Sequence, residues 1–198
     1  MNKREEIQKV AIRLFLEKGY SNVTIMDICN ELNITKPTFY KYVEAKEDLI
    51  IDLYDLIVKK ITSNVLKVID VDSSIERLVL IFNELMNETI AYNSDLYSQM
   101  LIANLNENRH SFDMRDEMTS ICVLLVKKAQ ENHEIHNMQP PEILYKTLAY
   151  CFTGYETMWC IRNGLTNLKE DFYNSMRVIL NVDEKYIEIF DKYTKGSD

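Results

Sequence analysis

The most constraining feature of the chain is the stretch TIMDICNELNITKPTFYKYV at residues 24–43. Thr24 opens a first short helix, because its hydroxyl can cap the free N–H groups of the first turn and an acid follows three residues later. Asn33 stands where the chain must turn, and Asn tolerates the left-handed conformation better than most residues. Thr35 and Pro37 then suit the start of a second helix. The stretch predicts a helix-turn-helix, which presents a helix end to the edges of DNA bases.

Helical periodicity continues on both sides of this unit. Apolar residues recur at three and four positions over residues 3–18, which predicts an amphipathic helix that stops at Gly19. The acids Glu47 and Asp48 suit the first turn of a further helix. These segments predict a small three-helix core, tied to the remaining chain by a fourth helix.

The chain as a whole predicts an all-α protein. It has four Gly and three Pro in 198 residues, and few alternating β-branched runs. We expect a three-helix helix-turn-helix head in residues 1–47 and a larger helical body in residues 48–198. The predicted helices after the head cover 46–69, 74–92, 95–107, 112–132, 141–163 and 166–194, the last broken near 181–183.

The acidic balance of the chain is compatible with DNA binding. There are 23 Lys and Arg against 31 Asp and Glu, but residues 1–50 hold eight of each sign, so the net charge of −8 falls on the remainder. An acidic body would repel DNA and confine binding to the head. The affinity should then depend on salt. The slope of log affinity against log salt concentration should be about −0.9 for each phosphate neutralised.

Several other protein classes are disfavoured by the sequence. No apolar run approaches the roughly twenty residues that span a membrane, and the N-terminus is charged, so we expect a cytoplasmic protein without a membrane partner. The four cysteines lack close pairing and zinc spacing, which favours reduced thiols. A phosphate loop, a nucleophile elbow and a dinucleotide fingerprint all need glycines that this chain lacks, so we expect no enzyme.

His133 and His136, with Glu134 between them, are candidate ligands for a metal. The spacing of the two histidines can chelate a metal on a helix turn. The segment is polar, ends in proline and has no further obvious ligand, so a solvated loop is the favoured interpretation. We therefore expect neither a metal nor a cofactor.

The head motifs resemble the TetR (tetracycline-repressor-like) family of bacterial regulators. No single motif is specific, but together, in this order, they carry the resemblance over residues 4–50, one quarter of the chain. Cys29, Asn33 and Val43 stand where the family usually has Ala, Gly and Phe, and these departures leave the charge pattern unchanged. The motifs are R-x-x-I-x-x-x-A-x-x-L-F-x-x-x-G-Y over 4–20, T-I-x-D-I over 24–28, I-T-K-P-T-F-Y-K-Y over 34–42 and K-E-D-L over 46–49.

The resemblance implies that residues 36–42 form the recognition helix. Lys36 and Thr38 are then candidates for base-edge contacts, and the other contacts are expected to position the protein on phosphates. Tyr40 could instead be a core aromatic, and Lys41 could be a solvated charge. The full set of expected DNA-binding residues is Thr24, Thr35, Lys36, Pro37, Thr38, Tyr40, Lys41, Tyr42 and Lys46.

The resemblance also implies a homodimer, in which the last two long helices form a four-helix interface. Residues 141–163 and 168–190 are apolar over more than one face, and such helices must be buried on more than one side. The alternative is that these helices complete a monomeric core. The expected interface residues are Leu144, Leu148, Phe152, Phe172, Met176 and Ile179.

Family members usually release DNA when a small molecule enters the helical body. The middle helices offer Met and aromatic residues that suit a deformable apolar pocket, although the same inventory suits an ordinary core. The effector would be apolar or amphipathic, and a cation is compatible with the acidic body. The candidate pocket residues are Phe82, Met86, Tyr97, Met100, Leu101, Met118, Leu125, Tyr155 and Trp159.

The sequence therefore predicts a ligand-responsive bacterial transcriptional regulator. It would bind a near-palindromic double-stranded DNA operator as a homodimer, with its two recognition helices about one DNA turn apart. Repression by promoter occlusion is the family's usual outcome. The alternative is a DNA-binding regulator that has no small-molecule effector and is controlled by a partner protein.

Overall fold

The computed structural model describes residues 2–51, 53–64 and 72–194. These residues form helices and connecting turns, with one isolated antiparallel β-bridge between Ile135 and Val182. The prediction of an all-α fold is confirmed. Within the described ranges, no helix has the length and apolar character needed to cross a membrane.

The helices follow the predicted order, with ends that differ by a few residues. Residues 65–69 of one predicted helix lie outside the described residues. The described α-helices are α1 (Lys3–Lys18), α2 (Ile25–Glu31), α3 (Lys36–Tyr40), α4 (Asp48–Ile51), α5 (Leu53–Asn64), α6 (Ser74–Ala91), α7 (Asn93–Asn106), α8 (Asp116–Glu131), α9 (Pro141–Ile161), α10 (Leu168–Leu180) and α11 (Ile187–Thr194).

Side chains next to each helix determine where the first three helices begin. Asn2 and Thr24 both form complete capping boxes, and Thr35 accepts a hydrogen bond from the first turn of α3. The turn between α2 and α3 places Asn33 at φ 51°, as predicted for this position. The predicted break near residues 181–183 is also present, because Asn181 ends α10 in the left-handed conformation.

The chain divides into two compact units. The first, which we call the head unit, contains the described residues of 1–56 together with Ile90–Asp113. The second, the body unit, contains the described residues of Ile57–Thr89 and of 114–198. The division of function between residues 1–47 and 48–198 stays a prediction.

The core of the head unit is formed by α1 with the helices that pack on it. Helix α1 contacts α2, α4 and α7, and its apolar stripe is buried by these contacts. Phe39 from α3 and Leu49 from α4 are fully buried, and the Phe15 side chain is 1% exposed. Phe39 therefore belongs to the core of the head unit.

The core of the body unit is an aromatic cluster. The ring of Phe172 on α10 lies 4.8 Å from that of Phe82 on α6 and 5.1 Å from that of Phe152 on α9, measured between centroids. Phe82 and Phe152 also touch each other, at 5.6 Å. Because α9 packs against both α8 and α10, it is the central helix of this unit.

The segment between α8 and α9 differs from the solvated loop predicted for it. His133 and His136 are exposed, but the Glu134 side chain is 2% exposed. Its carboxylate accepts hydrogen bonds from the N–H groups of Ser74, at 3.1 Å, and Ile75, at 2.7 Å. Glu134 therefore caps the start of α6 from a distant part of the sequence. The prediction of a solvated loop was wrong for this residue, because the polarity of the neighbouring residues does not reveal a distant partner.

Candidate nucleic-acid interface

The start of α2 is closed by a reciprocal pair, Thr24 and Asp27. The Thr24 hydroxyl accepts a hydrogen bond from the Asp27 N–H at 3.2 Å and donates one to the Asp27 carboxylate at 2.6 Å. The Thr24 N–H also donates to that carboxylate, at 2.7 Å. The pKa of Asp27 is lowered by the hydrogen bond from the Thr24 hydroxyl, which is the larger cause, and by that from the Thr24 N–H. Thr24 is a helix cap as expected, and its phosphate contact stays a prediction.

Helix α3 is short and is organised by Thr35. The Thr35 hydroxyl accepts a hydrogen bond from the Thr38 N–H at 3.4 Å and lies 2.9 Å from the Thr38 hydroxyl. Pro37 occupies the first turn, where its missing N–H removes no helical hydrogen bond. The helix ends at Tyr40, two residues before the predicted end, and Lys41 forms its C-cap.

The side chains of the predicted recognition segment are mostly exposed. Tyr40 is 51% exposed and Tyr42 is 44% exposed, whereas Phe39 between Thr38 and Tyr40 is fully buried. The Tyr40 ring stands edge-on to the Phe39 ring, with centroids 5.5 Å apart. We call the following set the α3 surface: Thr35, Lys36, Pro37, Thr38, Tyr40, Lys41 and Tyr42. All of these side chains are exposed except that of Thr38, which is half-buried.

Lys46 differs from the other predicted DNA contacts, because its ammonium group is held by the protein. Its Nζ atom donates a hydrogen bond to the Tyr20 carbonyl oxygen. The same atom lies 3.8 Å from the centroid of the Tyr20 ring and 5.3 Å from that of Phe15. Burial lowers the pKa of Lys46, and nearby carboxylates, with Glu47 foremost, oppose this shift. Lys46 is half-buried, and its predicted phosphate contact stays a prediction.

The predicted pocket residues are divided between the two units. Tyr97, Met100 and Leu101 belong to the head unit, and the other six belong to the body unit. Most of the set is buried, with Leu101 and Tyr155 partly exposed. Phe82 is part of the aromatic cluster, which agrees with the core alternative for this residue. A ligand-binding role for the set stays a prediction.

The predicted dimer residues require a correction. The side chains of five of them are at most 3% exposed within a single chain, so they cannot form the surface that meets a second copy. Only Ile179 is partly exposed. The apolar pattern marked the faces of α9 and α10 that pack inside the body unit, because those faces are the more apolar ones. The five buried residues are Leu144, Leu148, Phe152, Phe172 and Met176.

An exposed groove lies along α9 and α10 instead. It has a volume of about 390 Å³ and includes Val178, which is 81% exposed. The Tyr155 hydroxyl lies 2.6 Å from the Ser175 hydroxyl in this groove, which links the two helices. The groove is thus a partly apolar surface on the two helices predicted to meet a second copy, and Ile179 is the one predicted dimer residue that lines it.

Two carboxylates in structural roles were missed by the sequence analysis. Asp95 of α7 accepts a hydrogen bond from the Tyr20 N–H at 2.9 Å, across 75 residues, and no local pattern indicates this contact. Glu156 of α9 is fully buried and accepts a hydrogen bond from the Thr89 hydroxyl at 2.6 Å. A signal for Glu156 was present, because it falls one helical turn after the apolar Phe152.

Comparison with known proteins gives the same interpretation of the head. Residues 7–53 match the model of the family described as bacterial regulatory proteins, tetR family. The uncharacterized HTH-type transcriptional regulator YerO of Bacillus subtilis is 43% identical over 49 residues, which are 25% of this chain and 17% of YerO. The match with YerO thus spans less than a fifth of that protein.

Solved structures match over most of the chain. FadR of Thermus thermophilus, a TetR-family transcriptional repressor in complex with lauroyl-CoA, aligns with a TM-score of 0.69 and 21% identity, over 90% of this chain and 93% of FadR. A TetR/AcrR-family regulator of Thermobifida fusca aligns with a TM-score of 0.62 and 27% identity, over 90% and 97%. These are regulators rather than enzymes, in agreement with the prediction. The head of the chain therefore matches the tetR family of bacterial regulatory proteins, and the fold of the chain is that of TetR-family regulators.

Proposed function

We propose that this chain is a ligand-responsive transcriptional repressor that binds a near-palindromic operator as a homodimer. The observation that carries the proposal is the α3 surface, a set of exposed hydroxyl, amine and phenol groups supported by the buried ring of Phe39. Repression follows when the occupied operator overlaps a promoter. The proposal includes a cytoplasmic location, with association to the nucleoid in the DNA-bound state.

The chemistry of the α3 surface fits contacts in the major groove. Lys36, at the start of α3, can donate to guanine acceptors. The Thr38 hydroxyl is already within hydrogen-bond distance of Thr35, which favours a contact between the Thr38 methyl group and a thymine methyl. Tyr40, Lys41 and the remaining members can bind phosphates, which orient the protein without specifying sequence.

A direct test is fluorescence anisotropy with labelled DNA from upstream of the protein's own gene. The wild type should bind in the presence of competitor DNA, and binding should weaken with salt. Tyr40→Ala should lose this binding, whereas Tyr186→Ala, which changes a tyrosine of the body unit, should retain it. Equal binding by both variants would contradict the assignment of the α3 surface.

The exposed face of α9 supports the homodimer. Large apolar side chains recur along it at helical spacing, from 43% to 66% exposed, namely Ile143, Tyr150, Met158 and Ile161. Gly154 lies on the same face, and a Cβ built there would meet no atom within 4 Å. A glycine inside a helix costs roughly 0.5–1 kcal/mol relative to alanine, which a close approach by a second helix would explain.

The dimer can be tested by sedimentation with a matched pair of variants. Tyr150→Glu would introduce a charge at the proposed interface and should yield monomers. Leu124→Glu would introduce the same charge at a residue of α8 that is 51% exposed, and it should leave the dimer intact. A monomeric wild type, or dimers in both variants, would contradict the proposed interface.

An apolar or amphipathic effector is supported by the composition of the body unit. Its buried Met and aromatic side chains suit such a ligand, and FadR, which has the same fold, is in complex with lauroyl-CoA. The buried Glu156 and Thr89 pair supplies polar groups within this apolar region. The rings of Phe82, Phe152 and Phe172 pack against one another and fill this part of the body unit. A filled core favours instead the alternative, a regulator that is controlled by a partner protein.

The two forms of control are separated by a release experiment. Acyl-CoA esters of increasing chain length and a library of apolar compounds would be added to the preformed protein–DNA complex. A compound that lowers the anisotropy would support the effector. Unchanged anisotropy across the library would favour control by a partner protein.

A further inference from the structure

A crevice of about 390 Å³ lies between α10 and α11 in the body unit. The two helices pack against each other, and the crevice is lined by one face of each. Its volume falls within the range of about 300–1,000 Å³ that is usual for small-molecule sites. The groove along α9 and α10 lies beside the crevice, and Asn174 lines both.

Polar side chains reach the walls of the crevice through helical spacing. Those of α10 and its N-cap recur at intervals of three, four and three residues, which places them on one face of the helix. Glu170 already accepts a hydrogen bond from the Asn167 side chain, at 2.9 Å. The polar wall residues are Asn167, Glu170, Asn174 and Arg177 on the α10 side, and Asp191 and Thr194 on α11.

The buried part of the crevice is formed by two aromatic rings. Tyr173 is fully buried and Phe190 is 1% exposed, and the centroids of their rings lie 5.8 Å apart. The Tyr173 hydroxyl donates a hydrogen bond to the Val79 carbonyl oxygen of α6 at 3.5 Å. Burial raises the pKa of Tyr173, so the phenol is neutral at physiological pH. Polar walls therefore stand beside an uncharged ring surface.

Two opposite charges line the crevice without neutralising each other. Arg177 is half-buried, and among the described residues its guanidinium forms neither an ion pair nor a hydrogen bond. The same is true of the exposed Asp191 carboxylate within the described part of the chain. The adjacent Lys192, by contrast, pairs with Glu76 at 3.2 Å. A half-buried guanidinium has lost part of its hydration and keeps five N–H donors available, which favours a bound carboxylate.

We propose that this crevice binds a small zwitterion of the amino-acid class. The ligand carboxylate accepts hydrogen bonds from Arg177, whose planar guanidinium can hold a carboxylate through two parallel bonds. The ligand ammonium donates to Asp191, and the apolar side chain of the ligand covers the rings of Tyr173 and Phe190. A ligand with only one of the two charges leaves the other group of the crevice unpaired. The site does not depend on the proposed DNA binding.

The test is an NMR titration of the DNA-free protein with L-phenylalanine and L-leucine. Each amino acid is compared with its analogue without the amino group and its analogue without the carboxylate, which for phenylalanine are 3-phenylpropionate and phenethylamine. At least one of the amino acids should bind saturably and shift the Arg177 side-chain N–H and the amides of residues 190–194. It should bind roughly tenfold more tightly than either analogue, because each analogue lacks one charge-assisted contact.

Two variants assign the two charges of the ligand to residues. Arg177→Gln should weaken binding of the amino acid roughly tenfold and should not weaken binding of the amine, which has no carboxylate. Asp191→Asn should weaken binding of the amino acid and should not weaken binding of the acid that lacks the amino group. Arg162→Gln removes an exposed arginine outside the crevice and should bind as the wild type does. Unchanged thermal unfolding of the three variants would show that their fold is retained.

Absence of saturable binding by both amino acids at millimolar concentration would overturn the proposal. Equal affinity for an amino acid and its analogues would also overturn it, as would wild-type affinity in Arg177→Gln. Because the titration contains no DNA, its failure would leave the proposed function untouched. A failure of DNA binding would likewise leave the titration to decide this proposal.

Discussion

The first three helices of the head unit and helix α6 of the body unit differ in how their starts are specified. In the head unit, α1, α2 and α3 are capped by Asn2, Thr24 and Thr35, each adjacent to its helix. In the body unit, α6 has an adjacent cap in Ser73, whose hydroxyl accepts from the Glu76 N–H at 3.2 Å, and a distant one in Glu134, which is 60 residues from Ser74 in the sequence. A local cap can be read from neighbouring residues, whereas a distant cap exists only once the chain has folded. Helix α6 therefore depends on a distant residue as well as on its neighbours, whereas α1, α2 and α3 begin at caps that the neighbouring sequence encodes.

The largest effect is expected when packing between residues distant in the sequence is removed from the body unit. Phe172 is fully buried and touches Phe82 and Phe152. Phe172→Ala should lower the free energy of unfolding by about 3–5 kcal/mol, because it removes a large apolar side chain and leaves a cavity. Chemical denaturation would measure the loss. The control is Leu105→Ala on α7, where the side chain is 84% exposed and the change should stay within about 0.5 kcal/mol.

The next largest effect is expected when Glu134, the distant cap of α6, is replaced. Glu134→Ala would leave the Ser74 and Ile75 N–H groups without their carboxylate acceptor, and about 2–3 kcal/mol of unfolding free energy should be lost. Glu134→Gln keeps one carbonyl oxygen and should lose less. Hydrogen exchange should be accelerated at the start of α6 in the alanine variant. If the alanine variant were as stable as the wild type, the carboxylate could not be the cap of this helix.

A smaller effect is expected for a local cap. Thr24→Ala removes the hydroxyl that accepts from the Asp27 N–H at 3.2 Å, and caps of this kind contribute typically about 1 kcal/mol. Thr24→Ser retains the hydroxyl and is the matched control. Thermal and chemical unfolding of both variants would give the difference. A loss larger than that of Glu134→Ala would reverse the comparison between local and distant caps.

The smallest effect concerns the titration of Asp27. Its pKa lies below the usual carboxyl value because it accepts hydrogen bonds from the Thr24 hydroxyl and N–H, so its stabilising contribution is complete at neutral pH and is lost as the pH falls through that lowered pKa. Thr24→Val should raise the pKa of Asp27 towards the usual value. Carboxyl chemical shifts followed by NMR would show this change. An unmoved pKa would mean that the hydroxyl is not the main cause.

Much of the head unit could be predicted from the sequence because its signals are local. The range 3–18 for α1, the caps at Thr24 and Thr35 and the left-handed turn at Asn33 all depend on residues within a few positions of one another. The α3 surface follows from the same stretch. Its exposure could be expected because Phe39 takes the buried position of this short helix.

What could not be predicted depends on contacts between distant residues. The Asp95 contact with Tyr20 spans 75 residues, and the half-buried Lys46 ammonium lies over the rings of Phe15 and Tyr20, which are also distant in the sequence. In α9 the apolar pattern identified a buried face but not its partner. Leu148 was therefore assigned to the dimer, although it is fully buried in its own chain. Periodicity shows that a face is buried and leaves open what covers it.

The most direct test of the account is hydroxyl-radical footprinting of the wild type on DNA from upstream of its gene. A homodimer that reads DNA through the α3 surface should protect two symmetric patches, with the half-sites about 34–36 Å, or one helical turn, apart. Tyr40→Ala should abolish both patches together. A single unpaired patch, or two patches that persist in Tyr40→Ala, would contradict the central claim that paired α3 surfaces read the operator.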